Sequence, residues 1–378
     1  MVSQNLNVLF DGFPLHWGMR GGGVHRYMFE LVNRVACYPG VNGLIYGPRD
    51  PAIDASVRYI PEYRLRENHR LFRWARWANN HLSALQGWTL PLRSKRASLL
   101  HTAYYRVPQK PWPSLPIVVT LHDALIEIYA DEFQGREFDQ LRAWKRDVLK
   151  RASIVLCNSE HTRRDAERLF GVSPDRSIVT YLGSSLRRQP ASVPAARAVA
   201  EPYILHVGQR WKYKNFDTLL RAYATWPHSR EIRLVSCGGW PTWTEPELEI
   251  ITRFNLQDRV LKLNNVKDVE LAGLYAHAVC AVVPSKYEGF GLPVLEAMEC
   301  GCPVALSNSS SLPEVAGSVG VYFDPSDADS IAAALTRIAE LSAAERQSWI
   351  DAGRSQASQF SWDRCAQETY QAYRNVLE

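Results

Sequence analysis

Two carboxylates, Glu288 and Glu296, stand eight positions apart in PSKYEGFGLPVLEAMECGCPVA (284–305), on either side of Gly-Phe-Gly-Leu-Pro. The glycines mark a loop, and Pro293 suits the first position of a helix because that residue has no intrahelical N–H bond to lose. Glu288 is therefore expected on the loop and Glu296 just inside the helix. Backbone amides at a helix N-terminus, aided by the helix dipole, attract phosphate oxygens, which makes Phe290, Gly291 and Leu292 candidate anion-binding positions. A carboxylate in contact with a phosphate would repel it. The two acids are accordingly expected on hydroxyl groups, Glu288 on a sugar ring and Glu296 on a ribose. Spacing alone leaves a plainer alternative open, a loop carboxylate and a first-turn dipole partner.

A second set of residues has the opposite charge. In VGQRWKYKN (207–215) an apolar run ends at Gly208, and Arg210 and Lys214 follow four positions apart, with Lys212 between them as a substitute. Two cations beyond a strand end can neutralise a diphosphate whose charge grows as a bond to it breaks. The stretch MRGGGVHRY (19–27) leads into a helix through three glycines, which permit positive φ and close approach of backbone to ligand. Arg26 stands where the dinucleotide fingerprint G-x-G-x-x-G needs its last glycine, so Gly22 and Gly23 do not read as a dinucleotide loop. His122 closes the apolar run IVVTL and can hydrogen-bond a hydroxyl or a backbone carbonyl. Asp327-Ala328-Asp329 reads as a helix N-cap with its dipole partner rather than a metal site. No carboxylate or histidine cluster has metal-ligand spacing, and the seven scattered cysteines form no Cys-x-x-Cys pair, which points to reduced, mostly buried thiols.

The elements that must position these residues alternate in type. NLNVLF (5–10), LPIVVTL (115–121), ASIVLCN (152–158) and SIVTYLG (177–183) read as buried strands, and after the first comes a helical stripe of Val24, Tyr27, Met28, Leu31, Val32 and Val35. The pattern restarts at YILHVG (203–208), IRLVSCG (232–238), RVLKLN (259–264), AVCAVVP (278–284) and PVALS (303–307). Strands alternating with helices imply parallel sheets covered on both faces. With 378 residues, the chain is long for one core. The expected fold class is α/β with two doubly wound, Rossmann-like domains facing each other across a cleft. The first covers 1–185, a Pro/Ala/Arg linker 186–200, and the second 201–360. Ligands of such sheets sit beyond the carboxyl ends of the strands, so the loops at 11–23, 121–123, 208–214, 238–244 and 284–293 are the places for a site.

The motifs taken in order resemble the retaining glycosyltransferases of family 4, of GT-B fold. They are Glu288-x7-Glu296 with SNSSSLPEVAG (307–317) and YFDPSD (322–327), YILHVGQRWKYKNFDTLLRAY (203–223), VVTLHDALIEIY (118–129), NSEHTRRDAERLFGV (158–172) and FSWDRCAQETYQAYRNVL (360–377). The resemblance covers nearly the whole chain and is greatest to the mannosyltransferase-B-like branch. It implies a nucleotide-diphosphate sugar as donor, with no metal or other cofactor, and a product that keeps the donor's anomeric configuration. It also implies diphosphate roles for Arg210 and Lys214, donor contacts for Gly22, Gly23 and His122, and a last helix, 361–378, that crosses back to the first domain. The branch suggests a guanine nucleotide sugar and a glycan or lipid-linked glycan acceptor. The rival readings are a sugar-nucleotide epimerase or hydrolase of the same architecture, and a non-catalytic nucleotide-sugar binding module.

Charge is uneven along the chain. Residues 1–200 hold 28 Lys+Arg against 17 Asp+Glu, and the remainder 16 against 22, so the first half is the side for an anionic partner. Residues 58–96 carry nine of those cations and two acids, with Trp74, Trp77 and Trp88 interleaved. From Leu71 an apolar helical face is backed by Arg70, Arg73 and Arg76, which suits an anionic membrane surface or a helix packed on its domain. Nucleic acid is a poor reading, since no recognition motif accompanies the charge. No leader segment or membrane span is read, so the expected location is cytoplasmic, peripheral on the membrane if 58–96 docks there.

Overall fold

The computed structural model describes residues 5–15, 22–47, 49–60, 97–105, 115–186, 199, 201–240 and 242–378. Two parallel sheets form. The first runs in the order β3-β2-β1-β4-β5-β6-β7, from β1 (Leu6–Asp11), β2 (Val41–Tyr46), β3 (Arg58–Ile60), β4 (Leu99–Thr102), β5 (Ile117–Leu121), β6 (Ile154–Cys157) and β7 (Ser177–Val179). The second runs β10-β9-β8-β11-β12-β13, from β8 (Tyr203–Val207), β9 (Arg233–Cys237), β10 (Val260–Leu263), β11 (Cys280–Val283), β12 (Val304–Ser307) and β13 (Gly320–Phe323). Each sheet starts at its middle, winds one way, then returns and winds the other. Both domains are thus Rossmann-like.

Internal packing divides the chain into two units. One holds Met1–Asn158, Thr162–Tyr181 and Trp362–Glu378, the other Ser159–His161 and Leu182–Ser361. Residues 182–185, expected in the first domain, therefore count with the second. Most of the expected linker, 187–198 and 200, lies outside the described residues, as do 61–96 with the amphipathic helix read there.

In the first unit the core is Leu9, Leu100, Val119, Leu121, Val148, Leu149, Val155 and Cys157 with their neighbours. The helix Gly23–Val35 buries Tyr27, Met28, Leu31, Val32 and Val35, the stripe legible in the sequence. The helix Trp362–Leu377 belongs to this unit and buries Trp362, Cys365, Ala366, Thr369, Ala372 and Tyr373, again at helical spacing. It is held by an Arg34–Asp363 ion pair of 2.7 Å and by Tyr370 stacked on Tyr38. In the second unit, Ile204, Phe216, Leu220, Tyr223, Trp226, Leu234, Val282 and Leu335 lie in one core.

Candidate active site

In the second sheet β8 and β11 are neighbours although they are its first and fourth strands, so the connections leaving them diverge to opposite faces. Such a switch point opens a crevice at the carboxyl ends of the two strands. The residue after β8 is Gly208, at φ +142°, a backbone state that side chains avoid, and no atom lies within 4 Å of where a Cβ would stand. A one-turn helix, Lys212–Lys214, follows, and Asn215 closes it in the left-handed region at φ 60°. Asn215 Nδ2 donates to the carbonyls of Pro284 (3.1 Å) and Pro325 (2.6 Å), and the Lys286 amide donates to the Tyr213 carbonyl (2.8 Å). The two switch-point loops are thereby tied together.

That tie brings Lys214 onto Glu288. Lys214 Nζ donates to Glu288 Oε1 at 2.6 Å, and Ser285 Oγ donates to the same oxygen at 2.7 Å. Both side chains are mostly buried, at 15% and 11% exposure, so the pair is largely shielded from salt and water. The loop behind it is fixed by serines. The Glu288 amide donates to Ser310 Oγ (2.8 Å), and Ser311 Oγ donates to the carbonyls of Glu288 (2.9 Å) and Phe290 (2.8 Å).

Arg210 is placed differently from the sequence expectation. Its guanidinium is 0% exposed and paired with Glu247 at 2.8 Å, and it donates to the carbonyls of Gly238 (2.8 Å), Trp240 (3.0 Å) and Thr242 (2.8 Å) while lying over the Trp243 ring. The guanidinium is spent on shaping the loop after β9. Glu247 and these carbonyls meet the need of a buried guanidinium for partners. Both cations expected at the diphosphate thus have acidic partners, Arg210 in Glu247 and Lys214 in Glu288.

Gly291 caps the helix Leu292–Glu299 in the left-handed region, at φ 109°. The helix begins at Leu292, one residue before the expected start at Pro293. The Val294 amide is taken by the Gly291 carbonyl at 2.9 Å, so it is not among the amides open to an anion. Glu296 lies in the second turn rather than the first, 6% exposed, with the Tyr275 hydroxyl 3.5 Å from Oε2. His206, on β8, is held neutral, its pKa lowered to about 3 by burial and then by the charges of Lys214 and Arg210.

In the first unit His122 follows β5 directly. Part of the residue reaches the surface, but Nε2 is shut off from solvent and has no hydrogen-bond partner among the described residues. Burial lowers its pKa to about 4, against the opposing pull of Asp123, so at neutral pH it is an uncharged hydrogen-bonding group. The Tyr27 ring meets it edge-on at 4.9 Å. Gly22 is the N-cap of the helix Gly23–Val35 at φ −81°, ordinary extended backbone, so positive φ is not what this glycine supplies. Residues 16–21 lie outside the described residues. Asp327 is the N-cap read from the sequence, its Oδ1 accepting from the Asp329 amide at 2.9 Å. Asn215 and the serines at 285, 310 and 311 were missed as site residues. The Asn-Phe-Asp start of the helix after Lys214 and the serine run at 309–311 were the available signals.

Family models match in two blocks, Glycosyltransferase Family 4 at residues 21–188 and Glycosyl transferases group 1 at 191–356. O-antigen chain mannosyltransferase B of Escherichia coli is 30% identical over 98% of this chain and 100% of its own length. The chain belongs to glycosyltransferase family 4. Among solved structures, a sucrose-phosphate synthase from Thermosynechococcus elongatus superposes with a TM-score of 0.75 at 22% identity, covering 98% of this chain and 99% of the other. WaaG, a glycosyltransferase involved in lipopolysaccharide biosynthesis, does so at 0.69 with 16% identity, covering 97% and 99%. These likenesses show the GT-B fold. This family-4 chain is a hexosyltransferase, and the switch-point crevice of its second sheet carries the Lys214–Glu288 pair. No described helix is long and apolar enough to cross a membrane.

Proposed function

We propose that the enzyme is a retaining, metal-independent mannosyltransferase that moves mannose from GDP-mannose to a glycan, lipid-linked, in the synthesis of a cell-surface polysaccharide or lipopolysaccharide. The observation that carries this reading is the Lys214–Glu288 pair at the β8/β11 switch point, joined to a mannosyltransferase relative of equal length. Lys214 faces the diphosphate and gains a stronger partner as charge accumulates on the leaving oxygen, the condition for lowering a barrier. Its bond to Glu288 sets the geometry beforehand. Glu288 turns its other oxygen to a sugar hydroxyl, and Glu296 takes the ribose. Gly208, Phe290, Gly291 and Leu292 form the backbone around the donor, and Gly22, Gly23 and neutral His122 are donor-contacting residues.

The bond from the anomeric carbon to phosphate oxygen breaks, and the acceptor oxygen bonds to that carbon on the same face. The acceptor proton passes to the leaving phosphate, which becomes the nucleoside diphosphate. No protein nucleophile is needed.

The reading also places the enzyme on the cytoplasmic face of a membrane, docked through 58–96. The test is a screen of GDP-mannose, GDP and UDP-sugars for binding and turnover with lipid-linked acceptors in the presence of EDTA, followed by product analysis. Transfer from GDP-mannose with an α-linked product supports the reading. Tighter binding of UDP than GDP, an inverted product, loss of activity to EDTA with rescue by manganese, or turnover without any acceptor would each overturn the corresponding part.

A further inference from the structure

β5 and β6 are adjacent and parallel, and their register pairs Leu121 with Cys157. The next residues, His122 and Asn158, therefore leave the sheet side by side at its carboxyl edge, where ligands of such sheets bind. Asn158 is 4% exposed, and its Nδ2 donates to the His122 carbonyl at 2.9 Å, which fixes the amide's orientation. Its Oδ1 is buried and has no hydrogen-bond partner among the described residues, as is true of His122 Nε2. Native interiors seldom leave polar atoms of two adjoining residues unsatisfied, and such atoms call for a partner that arrives.

The surroundings hold these two residues still. The His122 amide donates to the Tyr105 hydroxyl (3.4 Å), and Tyr105 itself stands at φ 62°, a strained state for a tyrosine. Lys145, buried and paired with Glu127 at 2.9 Å, donates to the Asp123 carbonyl (3.3 Å). Side chains from three other parts of the first unit thus clamp the backbone at 122–123.

We propose that Asn158 is a sugar-binding residue, and that its Oδ1 and the Nε2 of His122 take neighbouring hydroxyls of one pyranose. The inference rests on the glycosyltransferase reading above. An amide oxygen only accepts, so it requires a donor, and an uncharged imidazole offers one N–H and one lone pair. Hydroxyls satisfy both. A phosphate, all acceptor, would meet Oδ1 lone pair against lone pair. An apolar group would leave both atoms stranded.

The experiment uses the whole enzyme with GDP-mannose and UDP-glucose, taking the better substrate, its monodeoxy analogues, and the matching nucleoside diphosphate as control. Asn158→Ala is expected to leave affinity for the nucleoside diphosphate within twofold and to lower kcat/KM tenfold or more. One monodeoxy donor, penalised about tenfold by the wild type, should no longer be penalised by the variant. In the unaltered protein, the Asn158 side-chain amide resonances should shift with the sugar nucleotide and not with the nucleoside diphosphate. An unmoved amide, or equal penalties for every deoxy donor in both proteins, would overturn the proposal. Loss of nucleoside diphosphate binding by the wild type would instead count against the functional reading, since that ligand belongs to the second unit.

Discussion

At the scale of single residues, the structure separates two cations that the sequence shows as equals. Lys214 faces Glu288 in the crevice, whereas Arg210 is a buried internal pin. Lys214→Ala and Glu288→Ala should each lower kcat/KM at least tenfold while denaturation midpoints move little, as expected for contacts that strengthen in the transition state. Arg210→Ala should do the reverse first. Removing one partner of a buried pair leaves Glu247 uncompensated, a loss of about 3–5 kcal/mol, so urea unfolding of the second unit should shift strongly, with activity falling as the loop after β9 loosens. If Arg210→Ala kept full stability and lost only activity, the assignment of Arg210 as a pin would be wrong. That Lys214 and Glu288 follow strand ends was legible in the apolar runs before them. Which cation is spent internally was not, because that depends on Glu247, thirty-seven positions away, and on three backbone carbonyls.

At the scale of elements, strands with unbroken apolar runs were legible: β5, β6, β8 and β11 are buried along their length or nearly so. β2 escaped because Asn42-Gly43 interrupts its run, and its burial alternates inside and out. β4 escaped because a polar residue, His101, sits wholly buried in a four-residue strand. β3 is three residues at the start of a basic stretch that reads as helix. The turn into the helix Leu292–Glu299 offers a test at this scale. Gly291 stands at φ 109°, and a Cβ there would lie 2.8 Å from Leu312 Cδ2. Gly291→Ala should therefore cost about 1–3 kcal/mol in backbone strain and raise the KM for donor by displacing the helix start. Calorimetric melting together with donor kinetics would check both, and an unchanged KM would separate this turn from donor binding.

At the scale of the whole molecule, stability should depend on pH through the histidines His101, His122 and His206. His101 and His206 have their pKa lowered to about 3, and His122 to about 4, in each case mainly by burial. The folded state holds them neutral while the unfolded chain protonates them below about pH 6.5, so the unfolded state binds more protons as pH falls. Their contribution is complete above about pH 6.5 and is lost as pH drops toward about 4 for His122 and about 3 for His101 and His206. Each removes roughly 1.4 kcal/mol per pH unit in that window, and urea midpoints at pH 7.5, 6.0 and 5.0 should fall accordingly. Replacing His101 by Gln should flatten the fall for the first unit, which holds two of the three histidines. Unchanged midpoints down to pH 5 would show that these groups titrate normally.

The helix Trp362–Leu377 completes the core of the first unit, yet all of Leu182–Ser361 precedes it in the chain. On the ribosome, which makes proteins from the N-terminus, the second unit can close as soon as its own residues emerge. The first must wait with the faces of Tyr27 and His101 uncovered until Trp362 and Tyr373 arrive. An aggregation-prone interval is thereby built into the order of synthesis, and chaperone dependence should belong to the half that is translated first.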